Sequence, residues 1–163
     1  MIRQATAADT GSIARLIRGL AQYEKLEHAV SLDEDRLRAH LFGPTPHARV
    51  LLAEEAGRIV GFALFFTTYS TFLAKPGLWL EDLFVLPEAR GQGHGKALLA
   101  AVARIACDLD CGRLEWSVLD WNEPAIQFYR ALGAGPLDDW TQFRLTGNAL
   151  QALAGHANAQ EAT

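Results

Sequence analysis

The chain is poor in the residues that mark several large classes of protein. Only two of its 163 residues are cysteine, Cys107 and Cys111. That is too few for a disulfide framework and, without a second ligand pair, too few for a cysteine zinc site. On a predicted helix they read as reduced thiols. Its five histidines, His28, His40, His47, His94 and His156, form no i, i+4 pair, so no metal site is expected. It has no apolar run of eighteen residues, which argues against a transmembrane helix. The opening Met1-Ile2-Arg3-Gln4 is not followed by an apolar signal core. Basic residues are outnumbered, 15 Lys and Arg against 19 Asp and Glu for a net charge of −4, and a nucleic-acid binder usually carries a basic stripe. A cytoplasmic protein with neither nucleic-acid nor membrane partner is expected. No linker, repeat or charge run divides the chain. Residues 1–148 read as one domain, and the alanine-rich, polar 149–163 as a tail that frays or forms a short helix.

What is present is apolar material, half of all residues, enough for one sizeable core. Ile2 to Ala5 reads as a short strand. Ala8 to Tyr23 is predicted helical from the spacing of Ile13, Leu16, Ile17 and Leu20. A second helix, capped by Ser31 with Glu34 in the capping-box position, runs to about Leu41. Val50 to Glu54 and Arg58 to Thr68 form a hairpin about Glu55-Ala56-Gly57, and Leu78 to Leu86 is the next strand. A helix over Ala97 to Leu109, a buried strand over Arg113 to Leu119, another helix and a closing strand over Trp140 to Leu145 complete a mixed α/β order.

The run Arg90-Gly91-Gln92-Gly93-His94-Gly95-Lys96 lies between a strand and a helix. Glycines there let backbone amides approach an anion, and the helix dipole adds to the attraction, so a phosphate-bearing cofactor is implied. Two familiar phosphate loops do not fit. A P-loop needs glycine where Arg90 stands and a hydroxyl residue where Ala97 stands. A dinucleotide fingerprint needs its third glycine at Lys96 or Leu98. The pattern that does fit is R-x-x-G-x-G, at Arg90, Gly93 and Gly95; an ordinary glycine-rich surface turn is the competing reading of this segment alone.

A second block follows about thirty residues on, Val118-Leu119-Asp120-Trp121-Asn122-Glu123-Pro124-Ala125-Ile126-Gln127-Phe128-Tyr129-Arg130-Ala131-Leu132-Gly133. Asn122 suits an N-cap, Pro124 the first helical turn and Gly133 the C-terminal end. Tyr129 shares a helix face with Ile126.

With both blocks in this order the chain resembles the GNAT superfamily of N-acetyltransferases. The resemblance is closest to the diamine acetyltransferases, which act on spermidine, spermine or thialysine. Leu20 to Leu26, Val60-Gly61-Phe62-Ala63, Leu80-Glu81-Asp82-Leu83-Phe84-Val85 and Trp121-Asn122-Glu123-Pro124 carry it, with 79–133 matching best. It implies an α/β GNAT fold with a mixed central sheet of six to seven strands and about four helices. It also implies acetyl-coenzyme A as co-substrate, held by the backbone of Leu83, Phe84 and Val85, by Arg90, Gly91, Gln92, Gly93, His94, Gly95 and Lys96, and by Asn122, Pro124, Ala125 and Tyr129. A small amine would be bound by Tyr23, Glu24, Glu81, Asp82, Glu115, Trp116 and Ser117. A homodimer is expected, through the strand Phe62 to Phe66 or the C-terminal strand. The loop Ser70 to Gly77 and the residues after Gly133 match poorly, and Trp116 is bulky for a pocket wall, which leaves the identity of the amine open.

Acetyl transfer to an amine needs a neutral nucleophile, a polarised carbonyl and an acid for the departing thiolate. A carboxylate can take the ammonium proton. Glu81 and Asp82 are neighbours on one strand, so they point to opposite faces; by resemblance Glu81 is the substrate-side carboxylate. Tyr129, with an ordinary pKa near 10, suits the acid. Neither cysteine lies in a matching block, which favours direct transfer over an acyl-enzyme. An aminoglycoside, amino acid or protein amine as acceptor, and a non-catalytic acyl-coenzyme A-binding module, are the alternatives. His94 is expected on the solvent side of the loop.

Overall fold

A computed structural model describes residues 1–161. The chain forms two compact units, Met1–Ser117 and the segment from Val118 onward.

The first unit is built on a five-stranded sheet whose strands lie in chain order. They are β1 (Ile2–Gln4), β2 (Arg49–Glu55), β3 (Arg58–Ser70), β4 (Lys75–Val85) and β5 (Leu114–Trp116). The first four pair antiparallel, and β5 joins β4 in parallel. The β2–β3 hairpin turns at Ala56 and Gly57, both at positive φ (48° and 77°), the geometry of a tight two-residue turn. Helices α1 (Thr10–Glu24) and α2 (Glu34–Phe42) lie between β1 and β2, and α3 (His94–Asp108) makes the crossover from β4 to β5.

Helix α1 buries Ile13, Ala14 and Leu16, and Ile13 and Leu16 pack with Val50, Leu52, Phe62 and Phe84 of the sheet. Gly19 lets the helix come close, since a Cβ there would stand 3.1 Å from the Phe84 ring. The intervening Leu51, Ala53 and Ala63 are buried too, so both faces of the sheet are covered. Helix α3, contacting β2, β3 and β4, buries Leu98, Leu99, Val102 and Ala106. Burial of this kind contributes about 2 kcal/mol per large apolar side chain. An ionic clamp secures the edge: Arg3 bonds both carboxylate oxygens of Asp9 at 2.8 and 2.9 Å and reaches Glu54 at 2.9 Å. The hydrogen bonds from Arg3 hold the Asp9 carboxyl well below its ordinary pKa.

Several expectations need correction. Helix α2 is capped not by Ser31 but by Asp33, whose carboxylate accepts from the Arg36 amide at 2.8 Å; a carboxylate immediately before the first turn outcompetes a hydroxyl placed further upstream. The strand foreseen over Arg113 to Leu119 shortens to Leu114–Trp116 and is only half-buried. Its ladder with β4 stops at Leu80↔Trp116, where β4 shifts register. β3 is flanked on both sides by strands, and Phe62 and Phe65 are fully buried within the chain, so that strand cannot serve as a surface between copies.

The second unit holds α4 (Glu123–Ala131) and α5 (Gly147–Glu161). Trp140 to Leu145 is not a strand, so the sheet has five strands rather than six or seven. Trp140 and Phe143 are 76% and 91% exposed. Trp140, Phe143 and Leu145, all exposed, supply little burial to drive pairing. The helix over part of 149–163 begins before the expected tail, at Gly147; the last two residues of that tail lie outside the described residues. Cys107 and Cys111 are free thiols.

Candidate active site

β4 leads through a single helical turn, Pro87–Ala89, into the glycine loop and then α3. Gly91 and Gly93 sit at φ +76° and +85°, a region that other residues enter only under strain. A Cβ on either would meet nothing within 4 Å, so both glycines border open space. Gly93 is the N-cap of α3, makes no side-chain capping bond, and is followed by no acidic residue in the first turn. The helix therefore presents amide donors and its positive dipole end at the loop. It starts at His94, three residues before the predicted Ala97. His94 is not on the solvent side as expected: its side chain is 14% exposed and its Nε2 lies 3.7 Å from Glu55. As the first residue of α3 it is pulled inward by the turn that follows it. Gln92 and Lys96 are exposed.

The second element of the site is an opening in the sheet. Leu64 pairs with Asp82 and Phe65 with Leu80, so Glu81 is an extra residue bulging from β4. Beyond Leu80 the β5 side of β4 has no strand beside it. The backbone of Leu83 and Val85 lies along this open edge. Phe84, between them, turns its side chain into the core against α1 and pairs with Phe62 of β3.

The third element lies where α1 ends. Lys25, at φ +61°, terminates the helix, and the Leu26 amide bonds Ala21 at 2.8 Å, folding the chain back. The turn encloses a shallow hollow of about 170 Å³ lined by Ile17, Leu20, Ala21, Glu24, Leu26, Ala29, Val30 and Asp82. Six apolar walls and two carboxylates thus share one space, at the negative end of a helix dipole. Burial, then repulsion from Glu81 and Glu24, pushes Asp82 up to about 7; burial also raises Glu24. Desolvated carboxylates of this kind favour either a proton or a cation. Glu81, though adjacent in sequence, is exposed, and its carboxylate accepts from the Trp79 indole at 2.8 Å. Of the remaining residues expected to line the amine pocket, Glu115 is paired with Arg113 at 2.7 Å, Trp116 is half-buried and Ser117 exposed. None of these three lines the hollow.

Tyr23 and Arg90, predicted for different halves of the site, meet: the guanidinium lies 4.4 Å from the centre of the Tyr23 ring. No local sequence signal marks this contact. The hollow's apolar walls were missed as well, although Ile17 and Leu20 continue the apolar stripe of α1 beyond what Ile13 and Leu16 supply to the core.

In the second unit, Asn122 is buried and caps α4 through the Ala125 amide at 3.4 Å, with Pro124 in the first turn. Gly133, at φ +89°, ends the helix, with the Ala134 amide reaching back to the Tyr129 carbonyl at 3.2 Å. Tyr129 is half-buried and packs beside Phe128 at 5.3 Å between ring centres.

The Acetyltransferase (GNAT) family profile matches residues 14–134. The chain belongs to the GNAT family of acetyltransferases. It is 43% identical over 166 residues to thialysine N-epsilon-acetyltransferase of Bos taurus, covering 95% of this chain and 97% of that protein. It is 35% identical to L-ornithine N5-acetyltransferase of Arabidopsis thaliana, covering 93% and 86%. Among solved structures, an integron cassette protein from the mobile metagenome of V. cholerae superposes with a TM-score of 0.80 at 26% identity, covering 94% and 96%. The chain is an N-acetyltransferase. GNAT acetyltransferases use acetyl-coenzyme A, and the uncapped amides of α3 with the two positive-φ glycines before them suit a phosphate-bearing ligand of that kind. Among the described residues no cluster of His, Cys, Asp or Glu could hold a metal, and no helix is long and apolar enough to cross a membrane.

Proposed function

We propose that this GNAT enzyme transfers the acetyl group of acetyl-coenzyme A directly to a primary amine of a small cationic substrate: a polyamine, diamine or thialysine-like amino acid. The observation that carries this reading is the hollow at the end of α1, where Glu24 and Asp82 stand among six apolar side chains. A cation with an apolar stem matches both parts, with methylenes on the walls and an ammonium at the carboxylates. The relatives named for thialysine and ornithine point to amines of the same chemistry.

The co-substrate supplies a thioester carbonyl, and everything else falls to the chain. The loop Arg90–Lys96 and the start of α3 hold the phosphates. Asn122, Pro124 and Ala125 complete the coenzyme contacts. The backbone of β4 near Phe84 and Val85 polarises the carbonyl. Asp82 and Glu24 hold one ammonium of the substrate in the hollow, and Glu81, outside it at the neighbouring position of β4, relays the proton that must leave the reacting nitrogen before it attacks. The C–N bond forms and the C–S bond breaks; Tyr129 donates a proton to the departing thiolate and is restored by the proton the nitrogen sheds on becoming an amide. The working enzyme is read as a cytoplasmic homodimer, tested by light scattering for a mass of twice the 17.8 kDa chain.

The deciding experiment is thiol release from acetyl-coenzyme A across a panel of spermidine, short diamines, thialysine, ornithine and an aminoglycoside, for wild type, Tyr129→Phe and Glu81→Gln. Turnover on the linear amines that falls at least tenfold in both variants supports the reading. Turnover only on the aminoglycoside, or coenzyme binding with no turnover, overturns it.

A further inference from the structure

We infer that Tyr23 and Arg90 form a staple between the coenzyme loop and the amine side of the site, making Tyr23 a positioning residue for coenzyme binding. The inference rests on the reading that the loop takes the phosphates of the co-substrate.

Between Arg90 and His94 the loop is Gly91-Gln92-Gly93, exposed throughout, with both glycines at positive φ. Such a stretch has much conformational freedom to lose, and its shape depends on how its ends are held. His94 anchors one end at the start of α3, its ring largely buried beside Glu55. Arg90 anchors the other. Its Nε donates to the Val85 carbonyl at 3.1 Å, which fixes the stem of the side chain against β4. Its guanidinium then lies over two rings, Tyr23 at 4.4 Å and Phe84 at 5.7 Å. Phe84 is buried in the core. Tyr23 belongs to the last turn of α1, and the next residue, Glu24, lines the amine hollow. The Arg90 side chain is therefore directed at the helix that shapes the amine site, and the loop backbone is left to meet the anion. Ordering the loop around a coenzyme and holding the end of α1 in place are coupled through one stacked pair.

An exposed cation–π contact corresponds to roughly a two- to fivefold change in an equilibrium constant. The test is a calorimetric titration of the full chain with coenzyme A, in the absence of amine, for wild type, Tyr23→Phe, Tyr23→Leu, Arg90→Met and the double variant Tyr23→Leu/Arg90→Met. Tyr23→Phe keeps the ring and should bind as wild type. Tyr23→Leu should weaken binding about two- to fivefold, and that loss should vanish when Arg90 is already Met. The inference is overturned if Tyr23→Leu binds as tightly as wild type, or if it costs the same factor in both backgrounds, as general loosening of α1 would produce. Amine turnover is not read in this titration. A coupled cycle in a chain that acetylates no linear amine would sink the proposed substrate and leave the staple standing, whereas additive losses in an active enzyme would do the reverse.

Discussion

The hollow at the end of α1 lies where a helix ends, and the loop at the start of α3 lies where one begins. At the hollow the helix ends: Glu24 stands in its last turn, Asp82 faces it from β4, and apolar walls keep both carboxylates half out of water. At the loop the helix begins. There is no acidic residue in its first turn, no side-chain cap, and glycines at +76° and +85° bare the backbone. The first is suited to positive charge by two desolvated carboxylates; the second is suited to negative charge by neutral amides. β4 runs between them, carrying Asp82 near its bulge and feeding Arg90 into the loop, so one strand connects the two regions that the proposed reaction assigns to the ammonium and to the coenzyme. The physical difference is that the acidic site depends on burial and the amide site on backbone conformation.

This contrast can be broken most severely at the loop. Gly93→Val forces a β-branched residue to φ +85° and puts a side chain where the phosphate approaches. The strain alone is about 1–3 kcal/mol, so coenzyme A affinity by calorimetry should drop about thirtyfold or more. The amine KM at saturating coenzyme should stay near wild type.

Asp82→Asn strikes the other region. Loss of a charge-assisted contact of about 1.5–3 kcal/mol should raise the amine KM at least tenfold and leave coenzyme affinity unchanged. With its carboxyl pushed up to about 7, Asp82 gains the charge that attracts an ammonium only as pH rises past neutrality. In wild type, kcat/KM for the amine should climb between about pH 6 and 8, a component that should be missing from the Asn variant in a pH-rate profile.

The same residue sharpens the comparison through stability. Its folded pKa stands above the ordinary 3.8, so its stabilising contribution is complete below pH 3.8 and is lost as pH rises toward 7. Asp82→Asn should therefore be more stable than wild type at pH 8, by about 1–3 kcal/mol, and equal to it near pH 3.5; urea melts at the two pH values decide this. The smallest effect is expected at Glu24→Gln, a change at the less buried carboxylate: about a threefold rise in amine KM, or roughly 0.7 kcal/mol.

How much was legible beforehand depended on how local each signal was. The loop was readable because its glycines cluster between a strand and a helix; of the two in R-x-x-G-x-G only Gly93 takes positive φ, Gly95 lies inside α3, and Gly91, outside the motif, is the other residue at positive φ. Asn122, Pro124 and Gly133 announced both ends of α4 for the same reason. The apolar stripe of α1 and the hairpin at Ala56-Gly57 were also local matters. Cap choice was less certain: Ser31 and Asp33 both suit an N-cap, and only the backbone path selects between them. Trp140 to Leu145 carried a strand-like pattern, but a strand exists only with a partner. Period-two alternation marked Glu81 and Asp82 as neighbours facing opposite ways and the family resemblance put Glu81 on the substrate side, whereas Asp82 is the one that lines the hollow.

By itself, the sequence determined the conformations that a few consecutive residues impose on one another: the glycine loop, the helix that follows it, the capped helix carrying Tyr129, and through them the family and its chemistry. Tertiary structure alone decided that Asp82 rather than Glu81 enters the hollow, because the register of β3 against β4 creates the bulge that sets the side of each carboxylate. It also brought Arg90 onto Tyr23. Those two residues are far apart in the chain, and nothing in either neighbourhood encodes the meeting; it follows from packing Phe84 against Gly19, which seats the last turn of α1 over the end of β4.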